Sequence, residues 1–68
     1  MSENELLEKL GFEYGYYLRF KKAKKHYTAQ VFKGRCEMLL ELIMLGGFKP
    51  SNDEHDLFNI ILKDIRGF

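Results

Sequence analysis

Apolar and polar positions along the chain follow two kinds of pattern, and the helical kind is clearest near the two ends. An S-x-x-E sequence, which is typical of a helix N-terminus, begins at Ser2 and again at Ser51. After each of these sequences, apolar side chains recur every three or four residues, which is the spacing of one helix face. The pattern predicts one helix over residues 3–10, ended by Gly11, and another over residues 52–66.

A third helix is predicted from the most apolar segment of the chain, CEMLLELIML at residues 36–45. Its apolar residues lie nearly all round the helical wheel, and Glu37 and Glu41, four residues apart, form a narrow polar strip. A helix that is apolar on almost every side needs cover on almost every side, so we expect this helix to be deeply buried. Paired glycines at residues 46–47 follow it, and Gly67 follows the last helix.

The segment over residues 16–32 fits two periodicities. As two strands, it has an apolar side formed by Tyr16, Leu18, Phe20, Tyr27, Ala29 and Val31 and an outward side formed by Tyr17, Arg19, Lys21, His26, Thr28 and Gln30. As a helix, it has an apolar stripe that Lys24 interrupts. Aromatic and β-branched content favours strands, although the KKAKK sequence lacks the Gly, Asn or Asp of a tight hairpin turn and is a good helix former. We therefore predict an antiparallel hairpin.

These elements together predict an α+β fold in the order α-β-β-α-α, with one antiparallel hairpin packed on helices. The alternative is an all-α fold of four helices. No low-complexity linker divides the chain, GGFKPSND at residues 46–53 is the only obvious irregular connection, and no internal repeat is detectable. We expect residues 1–68 to form a single compact domain.

Length and composition limit the classes of protein that are possible. The 68 residues are 46% hydrophobic, which is too apolar for a disordered chain. A chain of this size buries only about 60% of the surface that it exposes when unfolded, so a second subunit can help to complete its core. Cys36 is the only cysteine, which excludes an internal disulfide. With no export signal and no apolar run of about 18 residues, we expect a cytoplasmic protein without membrane contact.

Catalytic and metal-binding patterns are absent from the sequence. Cys36 with His26 or His55 would supply a nucleophile and a base, but no third residue stands out to orient them. The same three residues lack the C-x-x-C or H-x-x-x-H spacing of a zinc site, and no phosphate-binding glycine loop occurs. We therefore predict a protein that is not an enzyme and that binds no cofactor and no metal.

Charge is unevenly distributed although the formal net charge is only +1. The segment from Tyr14 to Cys36 contains seven basic residues and neither Asp nor Glu. Lysines displace counterions from nucleic-acid phosphates, and arginines and tyrosines stack on bases. The candidate nucleic-acid-binding residues are Tyr17, Arg19, Lys21, Lys22, Lys24, Lys25, Lys33 and Arg35. The other interpretation is that these charges only keep an exposed hairpin edge soluble.

The apolar third helix predicts self-association, because a chain this short has few other elements with which to cover it. We expect a homodimer built around Met38, Leu39, Leu42, Ile43, Met44 and Leu45, with Leu40 among them. The complete set of features predicts a small, non-enzymatic regulatory protein that binds DNA through residues 19–35. The alternative is a protein–protein interaction module or inhibitor, in the style of the small regulators found on phages and other mobile elements.

Overall fold

The structure, a computed structural model, describes residues 2–67, and every regular element in that range is a helix. Helix α1 spans Glu3–Lys22, α2 spans His26–Leu45 and α3 spans Leu57–Arg66. The predicted α+β fold is therefore wrong, since residues 2–67 contain no strand. The four-helix alternative had the right class but one helix too many.

Helix α1 begins as predicted and ends twelve residues later than predicted. The Oγ of Ser2 accepts a hydrogen bond from the backbone N–H of Glu5 at 3.2 Å, which confirms the predicted cap. The helix then continues through Gly11, where a Cβ added to the glycine would meet no neighbouring atom of the described chain within 4 Å. Glycine costs a helix only about 1 kcal/mol relative to alanine, so the packing of the residues that follow outweighs it.

The residues predicted to be strands form the second half of α1 and the first half of α2. Tyr17 and Ala29 are buried between these two helices, and the rings of Phe20 and Phe32 stack with centroids 5.4 Å apart. The aromatic content that favoured strands therefore serves helix–helix packing. Tyr17 and Arg19 do not share an outward face, because helical residues two positions apart point about 200° apart.

The connection between α1 and α2 is the lysine-rich segment itself. Lys24 has a φ of +59°, in the left-handed region, and the N–H of Lys25 donates to the carbonyl of Phe20 at 3.0 Å. One left-handed residue is enough to reverse the chain and start an antiparallel helix. The turn forms without glycine, although the left-handed conformation costs a non-glycine residue about 1–2 kcal/mol.

The last helix starts five residues later than predicted. Asp56, rather than Ser51, caps it, since its side chain accepts from the N–H of Phe58 at 2.9 Å. Ser51 belongs to the preceding connection, where its Oγ accepts from the N–H of Asp53 at 3.3 Å. The amide of Asn59 holds this connection by donating to the carbonyls of Ser51 at 2.6 Å and Asp53 at 2.8 Å. The predicted stop is confirmed, because Gly67 is left-handed with a φ of +76°.

Helices α1 and α2 form an antiparallel helical hairpin, and α3 packs on one side of it. The Tyr14 hydroxyl donates to Asp64 Oδ2 at 2.7 Å, and the rings of Phe48 and Phe58 meet edge to face at 4.8 Å. The buried apolar residues come from all three helices: Leu10, Tyr17, Ala29, Cys36, Leu39, Leu40, Ile43, Phe58, Ile61, Leu62 and Ile65. The opposite side of the hairpin receives no cover from the described residues, so α2 is less deeply buried than its composition predicted.

Candidate nucleic-acid interface and open face

The turn of the helical hairpin carries a group of positive charges, which we call the basic end. All of its members are exposed, and they occupy the last turn of α1 and the turn before α2: Arg19, Lys21, Lys22, Lys24 and Lys25. Within residues 2–67, the only ion pair closer than 4.0 Å joins Arg35 and Glu13. The described carboxylates therefore leave the charges of the basic end unneutralised.

Two cations of the basic end rest on aromatic rings. The guanidinium carbon of Arg19 lies 5.6 Å from the centre of the Tyr16 ring, and Lys21 Nζ lies 5.6 Å from the centre of the Tyr17 ring. Such contacts attract a cation to the face of the ring and restrict the side chain while leaving its charge in place. The basic end thus has two positioned cations, with Lys22, Lys24 and Lys25 beside them.

The other predicted nucleic-acid-binding residues lie apart from the basic end. Lys33 is half-buried, about two turns along α2. Arg35 forms a two-bond pair with Glu13, with Nε at 2.9 Å and Nη2 at 2.7 Å from the two carboxylate oxygens. Tyr17 is only 6% exposed, so its ring is not free to stack on a base. The structure therefore brings together five of the eight predicted residues.

The opposite end of the hairpin is negatively charged, which we call the acidic end. Its members are the exposed carboxylates at the start of α1 and in the second half of α2: Glu3, Glu5, Glu8, Glu37 and Glu41. Lys9 is the one basic residue of the hairpin in this half. These acids are up to 38 positions apart in sequence, and the antiparallel pairing of α1 with α2 places them at the same end of the hairpin. Sequence reading missed this grouping because it depends on the turn at Lys24.

The uncovered side of the hairpin contains a groove of about 480 Å³, and we call this side the open face. The groove lies between α1 and α2 and is lined by Leu6, Lys9, Glu13, Val31, Gly34, Arg35, Met38, Leu39 and Leu42. Tyr27 and Leu45 extend its apolar stripe towards the two ends of α2, where they are 85% and 77% exposed. Val31, Met38 and Leu42 on the same stripe are also exposed.

The residues predicted to mediate self-association divide between the core and the surface. Leu39 and Ile43 are buried inside the chain, as is Leu40, and Met44 is half-buried. Met38, which is 66% exposed, lies on the open face with Leu42 and near Leu45. The residues available for self-association are thus those at intervals of three or four along the outer side of α2.

Cys36 is fully buried at the centre of the core. Burial, and then the nearby Glu13 carboxylate, raise the pKa of its thiol to about 11, while Arg35 opposes the change. A thiol with so high a pKa is a weak nucleophile at neutral pH. In the described part of the chain, no three His, Cys, Asp or Glu side chains converge as a metal site requires.

A search of the helices in residues 2–67 found none that combines the length and the apolar character needed to cross a membrane. Comparison with known proteins gave no match: no protein-family model, no curated protein and no solved structure is significantly similar to this chain.

Proposed function

We propose that this protein is a small regulatory binding protein, without catalytic activity of its own, that contacts DNA through the basic end. The observation that carries the proposal is the group of five exposed cations at one end of a helical hairpin, with no described carboxylate within 4.0 Å of their charges. Phosphates along DNA release condensed counterions when lysines and arginines replace them, which makes such a surface a favourable contact.

The distribution of charge over the hairpin supports an end-on approach. With cations at the turn and five exposed carboxylates at the other end, the molecule orients in the field of a polyanion so that the turn faces it. Arg19 is the one member of the basic end that can make forked hydrogen bonds to phosphate or to guanine. Most of the contact is therefore to the backbone, and little sequence selectivity is expected from this surface.

The proposal includes a cytoplasmic location and self-association. A lone, buried thiol suits a reducing compartment, where structural disulfides are rare. A homodimer would cover Met38, Leu42 and Leu45, which the described chain leaves exposed.

A salt titration tests DNA binding. Fluorescence anisotropy with a labelled duplex should give an affinity that falls steeply with salt. Replacing Lys22, Lys24 and Lys25 by Gln should reduce the slope of log affinity against log salt by about 3, since each phosphate contact contributes about 0.9. The control replaces Lys49, Lys63 and Arg66, which are exposed outside the hairpin, by Gln and should leave the slope nearly unchanged.

The control has the same net charge as the test variant, so only the position of the charges differs. An equal loss of affinity in both variants would mean that net charge alone causes binding. Absence of duplex binding at about 50 mM salt, where electrostatic contacts are strong, would refute the proposed function.

A second candidate function is binding to another protein, as an interaction module or an inhibitor. The observation that favours it is an exposed aromatic patch on α1, where Phe12 and Tyr16 lie beside Arg19 and line a shallow groove with Gly11 and Gly15. Aromatic residues and arginine are enriched at the centres of protein interfaces. Replacing Phe12 by Ala should leave DNA affinity unchanged, and a loss of cellular activity in that variant would favour the protein partner.

A further inference from the structure

We propose that two copies of this chain pair through their open faces, with α2 of one copy antiparallel to α2 of the other. The occupant of the groove is thus a second copy of the chain. The inference goes beyond the proposed function, because it assigns the face, the orientation and the register of the pairing. It does not depend on DNA binding, and its tests contain no nucleic acid.

The exposed surface of the single chain is large for its mass. The chain exposes 5072 Å², whereas a folded monomer of 8.1 kDa is expected to expose about 4,500 Å². The smallest dimension of the Cα trace is 15 Å, so the molecule is flat. Helix α3 covers only one side of the helical hairpin. Covering the other side of the hairpin with an equivalent layer removes apolar surface from water.

The residues of the apolar stripe on α2 are placed symmetrically about the middle of the helix, so the stripe can pair with the same stripe of a second copy. Tyr27 and Leu45 lie nine positions on either side of Cys36, and Gly34 and Met38 lie two positions on either side. A twofold axis next to the middle of α2 therefore places Met38 of each copy opposite Gly34 of the other. Apart from its chain neighbours and the backbone of its own helix, no described atom lies within 4 Å of a Cβ built on Gly34, so this position is a notch that a flexible methionine side chain can fill.

The charges of the hairpin select the antiparallel orientation. A parallel pair would place the two basic ends together and the two acidic ends together, which is repulsive at both ends. An antiparallel pair places each basic end beside the acidic end of the other copy. Complementary charge of this kind determines the orientation of an interface more than it determines its affinity.

Sedimentation tests the pairing. From micromolar to near-millimolar concentration, the protein should show a species of about twice 8.1 kDa. Met38→Glu should weaken association by about 100-fold or more, because the interface would bury an unpaired carboxylate. Leu57→Glu replaces an exposed apolar residue of α3 outside the open face and should leave association unchanged. A monomer throughout the range for the unmodified protein would refute the pairing.

Gly34→Leu provides a second variant, and its thermal unfolding shows whether the single chain still folds. A Cβ at this position meets no other part of the described chain, and leucine has a better helix propensity than glycine, so thermal stability of the monomer should be retained or raised. The leucine side chain would occupy the notch that Met38 of the other copy fills in the proposed pair, so association should weaken. Undiminished association of a folded Gly34→Leu protein would contradict the proposed register.

Disulfide trapping tests the orientation. Tyr27→Cys protein is mixed with a tagged Leu45→Cys protein under mild oxidation, and the buried Cys36 should not take part. Antiparallel pairing predicts that the mixed disulfide, which has a distinct mass, predominates. Predominance of the two homodisulfides would indicate parallel pairing, and an absence of cross-linked product would count against pairing through this face.

Discussion

At the scale of single residues, the two least expected features are a buried carboxylate and a strained lysine. Glu13 is 7% exposed within an otherwise apolar stripe of α1, and both of its oxygens accept hydrogen bonds from Arg35. The guanidinium of Arg35 also lies over the Phe32 ring at 5.7 Å. A paired carboxylate is tolerated at such a site, whereas an unpaired one is strongly unfavourable. Arg35 therefore has a structural role in compensating the buried charge of Glu13.

The strained residue is Lys24, and its replacement by glycine should stabilise the protein. Glycine adopts a φ of +59° without a steric penalty, so Lys24→Gly should raise the free energy of unfolding by about 1 kcal/mol, as measured by urea denaturation. Lys25→Gly is the matched control, because Lys25 has a φ of −90° and glycine there gains nothing. A Lys24→Gly protein no more stable than the Lys25→Gly control would show that the turn is not strained.

At the scale of the helices, α3 is held by an apolar face and by one hydrogen bond to α1. Phe58, Ile61, Leu62 and Ile65 are buried, and α3 is only 10 residues long, which is too short for stability in isolation. The bond from Tyr14 to Asp64 ties α3 to α1 across 50 residues of sequence. Burial, and then the hydrogen bond to the Asp64 carboxylate, raise the pKa of the Tyr14 hydroxyl.

The raised pKa of Tyr14 predicts a loss of stability in alkali. A tyrosine in the unfolded chain ionises near pH 10, while Tyr14 in the folded chain keeps its proton to a higher pH. The folded state then binds more protons, so the stability contributed by this group is complete below about pH 10 and decreases as pH rises further. Urea denaturation between about pH 8 and 11 should show this decrease.

Tyr14→Phe separates the loss of stability that Tyr14 ionisation causes from any loss that lysine ionisation causes. The variant should lose about 1 kcal/mol at neutral pH, where the hydrogen bond is intact in the unmodified protein. Its stability should depend less on pH above 10. Parallel curves for the two proteins over the alkaline range would show that the Tyr14–Asp64 bond does not contribute to the pH dependence.

At the scale of the whole molecule, the three helices meet around Cys36, whose side chain is completely buried. A thiolate can react only when the helices separate, because the thiol is inaccessible and its pKa of about 11 leaves little of it ionised. The reactivity of Cys36 therefore reports how often the core opens.

Alkylation with iodoacetamide at pH 8 should be slow in the folded protein. The rise in pKa from 9.0 to about 11 alone lowers the thiolate population by about 100-fold, and burial lowers the rate further. Mass spectrometry should show rapid labelling in urea and slower labelling in Lys24→Gly than in the unmodified protein, because the more stable core opens less often. Labelling of the native protein as fast as that of the unfolded chain would contradict the buried position.

Several features of the fold are readable from short stretches of sequence because their causes are local. The cap at Ser2 satisfies backbone N–H groups within three residues, and the glycine after α3 adopts the left-handed conformation within one. The end of α2 before Gly46 and the cluster of lysines at the turn can likewise be read from residues that are adjacent in sequence. Cys36 opens the apolar segment 36–45, and a free cysteine is one of the residues most often buried.

Whether residues 16–32 form strands or helices depends on contacts between residues that are far apart in sequence. The same is true of which charged residues gather at each end of the hairpin. Alternating aromatics favour strands when the segment is considered alone, whereas in the fold the rings of Phe20 and Phe32 stack between two helices. The continuation of α1 past Gly11 buries Glu13, whose charge is compatible with the core because it pairs with Arg35, 22 positions away. The grouping of carboxylates at the acidic end and the uncovered side of α2 also require the reversal at Lys24. Tertiary structure decides these features because it determines which faces have neighbours.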